Sequence, residues 1–249
     1  MKILLAGDSI ITGSTGINWI PLLAQRRPRW QLKAAGADGE PLHKITDRLP
    51  ALLQTGDSYD CIVLVAGHND LLLPALSQKG YFFRKSYQYL LRKGYRPLPD
   101  PAAFELQMRQ CIGLIRQYSR ARIILCTLSA MNESAGSLVR QQRNLLNETI
   151  RDVAWDMQCQ LADPGLRFDE YLESRCTRSY FLPSFWQVTW FDKWICKWFD
   201  QADVLSQRRR LHLTTDGVHL NTRGAKIFMH EIEKQLLITE NKPILHFSE

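Results

Sequence analysis

Apolar residues cluster in five short runs. "KILLA" (2–6), "CIVLVA" (61–66) and "RIILCTL" (122–128) are continuous, while "WQLKAA" (30–35) and "CQLA" (159–162) are weaker. A strand with one wet face alternates apolar and polar residues. A continuous run marks a strand covered on both faces, as in a parallel sheet between helices. Stretches with helical spacing lie between the runs, roughly at 18–25, 42–54, 103–118, 138–157 and 222–237. In the last of these Ile227, Ile232 and Leu236 fall near one face, and Asn221 and Thr222 stand before it as caps. This alternation predicts an α/β fold: a three-layer α/β/α sandwich around a mainly parallel five-stranded sheet.

Two segments interrupt the alternation, at about 71–101 and 164–213. No linker or repeat divides the chain, so residues 1–249 read as one domain with two helical insertions over one edge of the sheet. The second insertion contains "PSFWQVTWFDKWICKWFDQ". A helix from about Ser184 would gather Trp190, Phe191, Trp194, Ile195, Trp198 and Phe199 on one face, with Asp192, Lys193, Lys197 and Asp200 elsewhere. That face is expected to pack on the body of the domain. Lining a substrate groove through Trp190 and Trp194 is the next reading, and docking on a membrane surface is the least favoured because the charges are mixed. The first insertion, "KGYFFRKSYQYLLRKGYRPL", reads as a helical hairpin with its aromatics turned inward.

The charge changes this picture in one place. The chain carries a net +7, and no acid occurs from Leu71 to Pro99, where Lys79, Arg84, Lys85, Arg92, Lys93 and Arg96 fall among aromatics. Such a mixture suits an anionic head group or single-stranded nucleic acid, of which nucleic acid is the less favoured partner. Arg208, Arg209 and Arg210 form a short basic run read as solvated. No apolar run approaches the ~20 residues of a membrane span, and "ILLA" falls short of the ~7–15 residues of a secretory signal core. A cytoplasmic location is therefore expected. The six cysteines are dispersed without C-x-x-C or zinc spacing, and His43, His212, His230 and His246 show no ligand pattern. Neither a metal nor a cofactor is expected.

Loops leaving the carboxyl ends of parallel strands converge on one edge, where reactive groups gather. The first strand leads to Gly7-Asp8-Ser9, the second to "GADG" (36–39), the third to "GHND" (67–70), and "DGVH" (216–219) stands just before the last helix. Each is unremarkable alone. Together they supply a hydroxyl nucleophile, backbone amides beside a glycine, a side-chain amide, and a histidine with a carboxylate three residues before it, the inventory of acyl transfer.

In these four blocks, and in their order, the chain resembles the SGNH hydrolase superfamily, also called the GDSL esterase/lipase family. The resemblance implies a flavodoxin-like sandwich and a serine ester hydrolase. It matches Ser9 to the nucleophile, Asp216 and His219 to the acid and base, and Ser9, Gly39 and Asn69 to the oxyanion hole. Gly39 is preferred to Gly36 because the later of the two glycines supplies the amide in the family. One departure is Ala34, where the family often has asparagine. Asp8 and Asp70 read as loop supports, and His68 fills a variable slot from which it could touch substrate. The G-x-S-x-G elbow of the larger α/β-hydrolases is missing. The expected substrate is an acyl or acetyl ester on a lipid or carbohydrate, with the acyl ester favoured over O-deacetylation. The same acyl-enzyme would serve an acyltransferase. A non-catalytic binder of an anionic partner would account for the charge but not for the assembled catalytic groups.

Overall fold

The computed structural model describes residues 1–54, 58–199 and 201–241, so Asp200 and His246 lie outside the described residues, as do the side chains of Lys197 and Phe199. In chain order the elements are β1 (Lys2–Gly7), α1 (Ser9–Thr12), α2 (Trp19–Arg26), β2 (Gln31–Gly36), α3 (Leu42–Leu53), β3 (Cys61–Val65), α4 (His68–Ser77), α5 (Tyr81–Arg92) and α6 (Pro101–Tyr118). There follow β4 (Arg122–Cys126), α7 (Leu138–Asp156), β5 (Gln160–Ala162), α8 (Pro164–Glu173), a π-helical turn (Gln187–Phe191), α9 (Asp192–Phe199), α10 (Ala202–Arg208) and α11 (Thr222–Asn241).

All five strands are parallel, in the order β2-β1-β3-β4-β5. The continuous apolar runs follow from burial on both faces. In β1, Leu4 and Ala6 join a core with α3, α6 and α7, while Ile3 and Leu5 point the other way into a core with α2, α8 and α11. Helical spacing supplies the covering faces: Leu42, Ile45, Leu49 and Leu53 from α3, and Ala225, Phe228, Ile232 and Leu236 from α11. Phe228 lies 5.5 Å from Trp19 of α2, ring to ring. Each fully buried side chain of this size contributes about 1.5–3 kcal/mol. The strand order reverses between β1 and β3, and in such sheets the ligand crevice opens beyond the carboxyl ends of the strands at that point.

The insertions depart from expectation in three ways. The stretch from about 164 begins with a helix of the sandwich itself, since α8 places Phe168 and Leu172 in the core against α11. The first insertion is a hairpin of α4 and α5, but only Phe83 turns fully inward, and Tyr81, Phe82 and Tyr89 are exposed. The tryptophans of the second insertion are not buried on the domain, although Ile195 of the same stretch packs against Cys196, Ala202 and Leu205. Trp190, Trp194 and Trp198 are 68%, 53% and 70% exposed, whereas Asp192 and Cys196, one turn apart, form the buried face. The physical reason is a partner for the charge: Arg209 donates to Asp192 at 2.7 and 2.9 Å, so the carboxylate can turn inward. Arg209 thus leaves the solvated run expected of 208–210.

Candidate active site

Ser9 opens α1 directly behind β1. Asp8 caps that short helix, its Oδ1 accepting from Ile10 N–H at 2.9 Å, and Gly13 closes it in the left-handed region with φ 60°. The other Asp8 oxygen lies 3.2 Å from Nδ1 of His68. His68 Nε2 accepts from the backbone N–H of Ser129 at 3.2 Å, which places the ring proton on Nδ1, facing Asp8. His68 is only 1% exposed, so it bridges the Asp8–Ser9 turn to the loop after β4 rather than touching substrate. Its expected contact with substrate is corrected here: the buried Asp8 carboxylate claims the ring.

Asp216 and His219 sit on a tight loop before α11. Thr214 and Leu220 form an antiparallel bridge, and Thr215 N–H donates to His219 O at 2.8 Å. Between them Gly217 adopts φ 96°, and a Cβ there would fall 2.2 Å from Tyr180 O, so only glycine fits. Asp216 Oδ1 accepts from the N–H groups of Val218 and His219 at 3.0 and 2.9 Å. Its Oδ2 accepts from His219 Nδ1 at 2.6 Å, which leaves Nε2 to face Ser9 Oγ at 3.3 Å. The structure therefore joins residues 210 positions apart into one serine–histidine–aspartate chain. The distance at the serine is long but within the range of resting sites.

Burial raises the cost of every charge in this chain, yet the pairing overrides it. Burial disfavours the Asp216 carboxylate, but the facing His219 and two backbone N–H groups hold its pKa below the ordinary 3.8. Burial also opposes a protonated His219. The Asp216 carboxylate, with Asp8 and Asp38 behind it, outweighs that cost and raises the histidine above 6.5.

Gly39 and Asn69 meet through Glu40. Asn69 Nδ2 donates to Glu40 O at 3.1 Å, one residue beyond Gly39. Arg48 of α3 donates to a Glu40 carboxylate oxygen at 2.6 Å and to Gly7 O at 2.7 Å, tying this loop to the end of β1. The two glycines of the loop differ. A Cβ on Gly36 would fall 2.8 Å from Thr12 N, so Gly36 lets α1 close on β2. Around Gly39, at φ 76°, the space is open. Ala34 lies inside β2, paired with Leu5, and gives the loop no side-chain support. Asp38 supplies it: Thr12 Oγ1 and Ser14 Oγ donate to its two oxygens at 2.5 and 2.7 Å, and Lys193 of α9 reaches Oδ2 at 2.6 Å. Burial alone would raise the Asp38 pKa, but Lys193, Thr12 and Ser14 hold it below 3.8.

Glu133 and Arg209, whose roles the sequence does not show, brace the same edge together with Asp70, the expected loop support. Glu133, fully buried, accepts from the N–H groups of His212, Leu213 and Thr214 and from Thr214 Oγ1, all at 2.7–2.8 Å. Arg209 donates to Thr215 O at 2.8 Å as well as to Asp192. Asp70 accepts from Leu42 N–H and Leu98 N–H, both at 2.9 Å, stapling α3 and the loop before α6 to α4. Trp190 and Trp194 are not drawn into this assembly as pocket walls; both rings face outward, and the residue between them that reaches the site's loops is Lys193. Among the described residues no group of three or more His, Cys, Asp or Glu is placed to hold a metal ion.

The parallel α/β sandwich thus brings a serine, a histidine and an aspartate together at its switch point. The family model of the GDSL-like Lipase/Acylhydrolase family matches residues 5–227, and the chain belongs to that family. It is a carboxylic ester hydrolase. Among solved structures, the acetyl xylan esterase AlAXEase is 18% identical, with 95% of this chain and all of that chain covered at a TM-score of 0.61. Axe2, an acetylxylan esterase from Geobacillus stearothermophilus, is 16% identical, with 94% and 93% covered at 0.62. A lipolytic G-D-S-L family member from Veillonella parvula is 14% identical, with 94% and 97% covered at 0.59. These likenesses are of fold. No curated protein matches the chain.

Proposed function

We propose that the protein cleaves esters through an acyl-serine intermediate on Ser9. The single observation that carries this reading is the hydrogen-bonded line from Ser9 Oγ through His219 to Asp216. Ser9 attacks the ester carbonyl as its proton passes to His219 Nε2, so the Oγ–C bond forms while the carbonyl π pair moves onto oxygen. The Ser9 and Gly39 N–H groups and Asn69 Nδ2 donate to that oxyanion. Collapse expels the alkoxide, which takes the proton from His219. Water then repeats the sequence, with His219 as base, and releases the acid. Asp216 keeps the imidazole in the needed tautomer throughout.

The substrate is an acyl or acetyl ester, with the acyl ester as first choice; the aromatic insertions, whose tryptophan rings face outward, do not separate the two. The second reading, an O-acetyl group on a carbohydrate, draws on the fold neighbours described as acetyl xylan esterases. A fluorophosphonate probe should label the wild type and not Ser9→Ala, and Ser9→Ala should lose essentially all ester hydrolysis. Labelling of Ser9→Ala, or its retention of most of the rate, overturns the assignment. Rates on p-nitrophenyl esters that rise from C4 to C10 support an acyl groove, and activity confined to acetate supports deacetylation.

A further inference from the structure

The π-helical turn and α9 present rings to solvent next to the site. Trp186, Trp190, Trp194 and Trp198 are all more than half exposed. Steps of four residues overshoot a turn of α-helix by about 40° and fall short on the wider π turn, so the π turn at Gln187–Phe191 helps keep these rings near one side. Phe82 of α5 extends the surface, lying 5.7 Å from Trp186 and stacked on Phe185 at 6.1 Å. Large exposed aromatic patches of this kind mark interaction surfaces.

Within the two segments that form the patch the exposed charges of the described residues are cationic, and the one carboxylate that reaches in from outside, Asp38, pairs with Lys193 at 2.6 Å. No acid lies between Asp70 and Asp100, and between Glu173 and Asp200 the only acid is Asp192, which is 1% exposed and paired with Arg209. Of the two acids that made this helix mixed in charge, Asp192 turns inward while the tryptophans turn outward, and Asp200 lies outside the described residues. Cations meanwhile ride on the exposed rings of α5, with Lys85 Nζ 5.7 Å from the centre of Tyr81 and Lys93 Nζ 5.6 Å from that of Tyr89.

We propose that this face docks the protein on an anionic lipid surface. Tryptophan and tyrosine rings settle at the level of the head groups, apolar body inward and polar tip wet. Lysine and arginine beside them attract anionic head groups. A neutral polysaccharide would use the rings and leave the cations idle, and a single-stranded nucleic acid is usually held in a basic groove, whereas these rings stand on the outer side of a helix. The face is fastened to the chemistry: Lys193 of α9 pairs with Asp38 beside Gly39, and Arg209 links Asp192 to the carbonyl of Thr215 beside Asp216. Docking would therefore bring the catalytic edge to the membrane. This inference does not depend on the ester being a lipid.

The test is cosedimentation of the full chain with vesicles of phosphatidylcholine alone and of phosphatidylcholine with phosphatidylglycerol. Binding is expected only to the anionic vesicles, with a blue shift of tryptophan emission and loss of binding as salt is raised. Trp186→Ser/Trp198→Ser and Lys85→Glu/Lys93→Glu should each weaken binding by about tenfold or more. The charge-reversed variant should keep its hydrolysis of p-nitrophenyl acetate, showing that it folds. No binding, or equal binding to neutral vesicles, overturns the proposal. Retention on insoluble xylan or on a single-stranded oligonucleotide, without vesicle binding, overturns it too and reassigns the face.

Discussion

His219 is raised above its ordinary value because Asp216 stabilises the imidazolium more than burial penalises it. As the proposed base it must be neutral to accept the Ser9 proton. The profile of kcat/KM against pH should therefore fall on the acid side with an apparent pKa above 6.5, and Asp216→Asn should move that limb to lower pH while cutting turnover by about 10⁴. A limb unmoved by Asp216→Asn would mean that another group titrates. Asn69 is a separate case: its amide is already fixed by Glu40 O, so Asn69→Ala should lose about 100- to 1000-fold in kcat with little change in KM. His68 acts at one remove. Truncation to alanine frees the Asp8 carboxylate that caps α1 and leaves it buried, so His68→Ala should lower both kcat and thermal stability. His68→Asn, whose amide can still donate to Asp8, should recover part of each.

The loop that carries Asp216 and His219 before α11 depends on a carboxylate that belongs to another element. Glu133, in the loop after β4, receives three backbone N–H groups and a hydroxyl from 212–214. Each buried donor left without a partner costs about 1–3 kcal/mol. Glu133→Ala should thus destabilise the protein by about 3 kcal/mol or more in a denaturant titration, and Glu133→Gln, which keeps an acceptor, by less. Nothing in the sequence announces this residue, because a glutamate in a loop looks the same whether it faces water or three amides. The strands and the long helices were legible for the opposite reason: burial on two faces or on one stripe imposes a period on the residues themselves. Ser9 and Asn69 were legible because their blocks follow strand ends, and Asp216 and His219 because theirs stands before the last helix, all in family order. The orientation of α9 was not, since an aromatic stripe and the charged residues opposite it compete for the inside, and the outcome turned on Arg209, a residue distant from the stripe that looked like one member of a solvated run.

At the scale of the whole molecule, buried groups on the edge that holds Ser9 and His219 set stability and the proposed activity on opposite courses with pH. Asp70 is pushed up to about 7 by burial, with the Asp8 charge adding to it, against the two backbone N–H groups that favour the anion. The folded state then binds more protons than the unfolded chain between about pH 4 and 7, so stability declines as pH rises through that interval. His219, also raised, contributes stability that is complete below 6.5 and is lost as pH climbs through its folded value. Asp216 and Asp38 are lowered, and their contribution is present above about pH 4 and fails only in stronger acid. The sum predicts a melting temperature that is highest in weakly acidic solution and falls toward pH 8, while esterase activity rises through the same range as His219 loses its proton. Asp70→Asn separates the two effects: an amide cannot ionise, so the variant should start from a lower melting temperature yet lose much of the decline between pH 5 and 7, with the acid limb of activity still governed by His219. A melting curve that keeps its full slope in Asp70→Asn would place the destabilising ionisation elsewhere in the molecule.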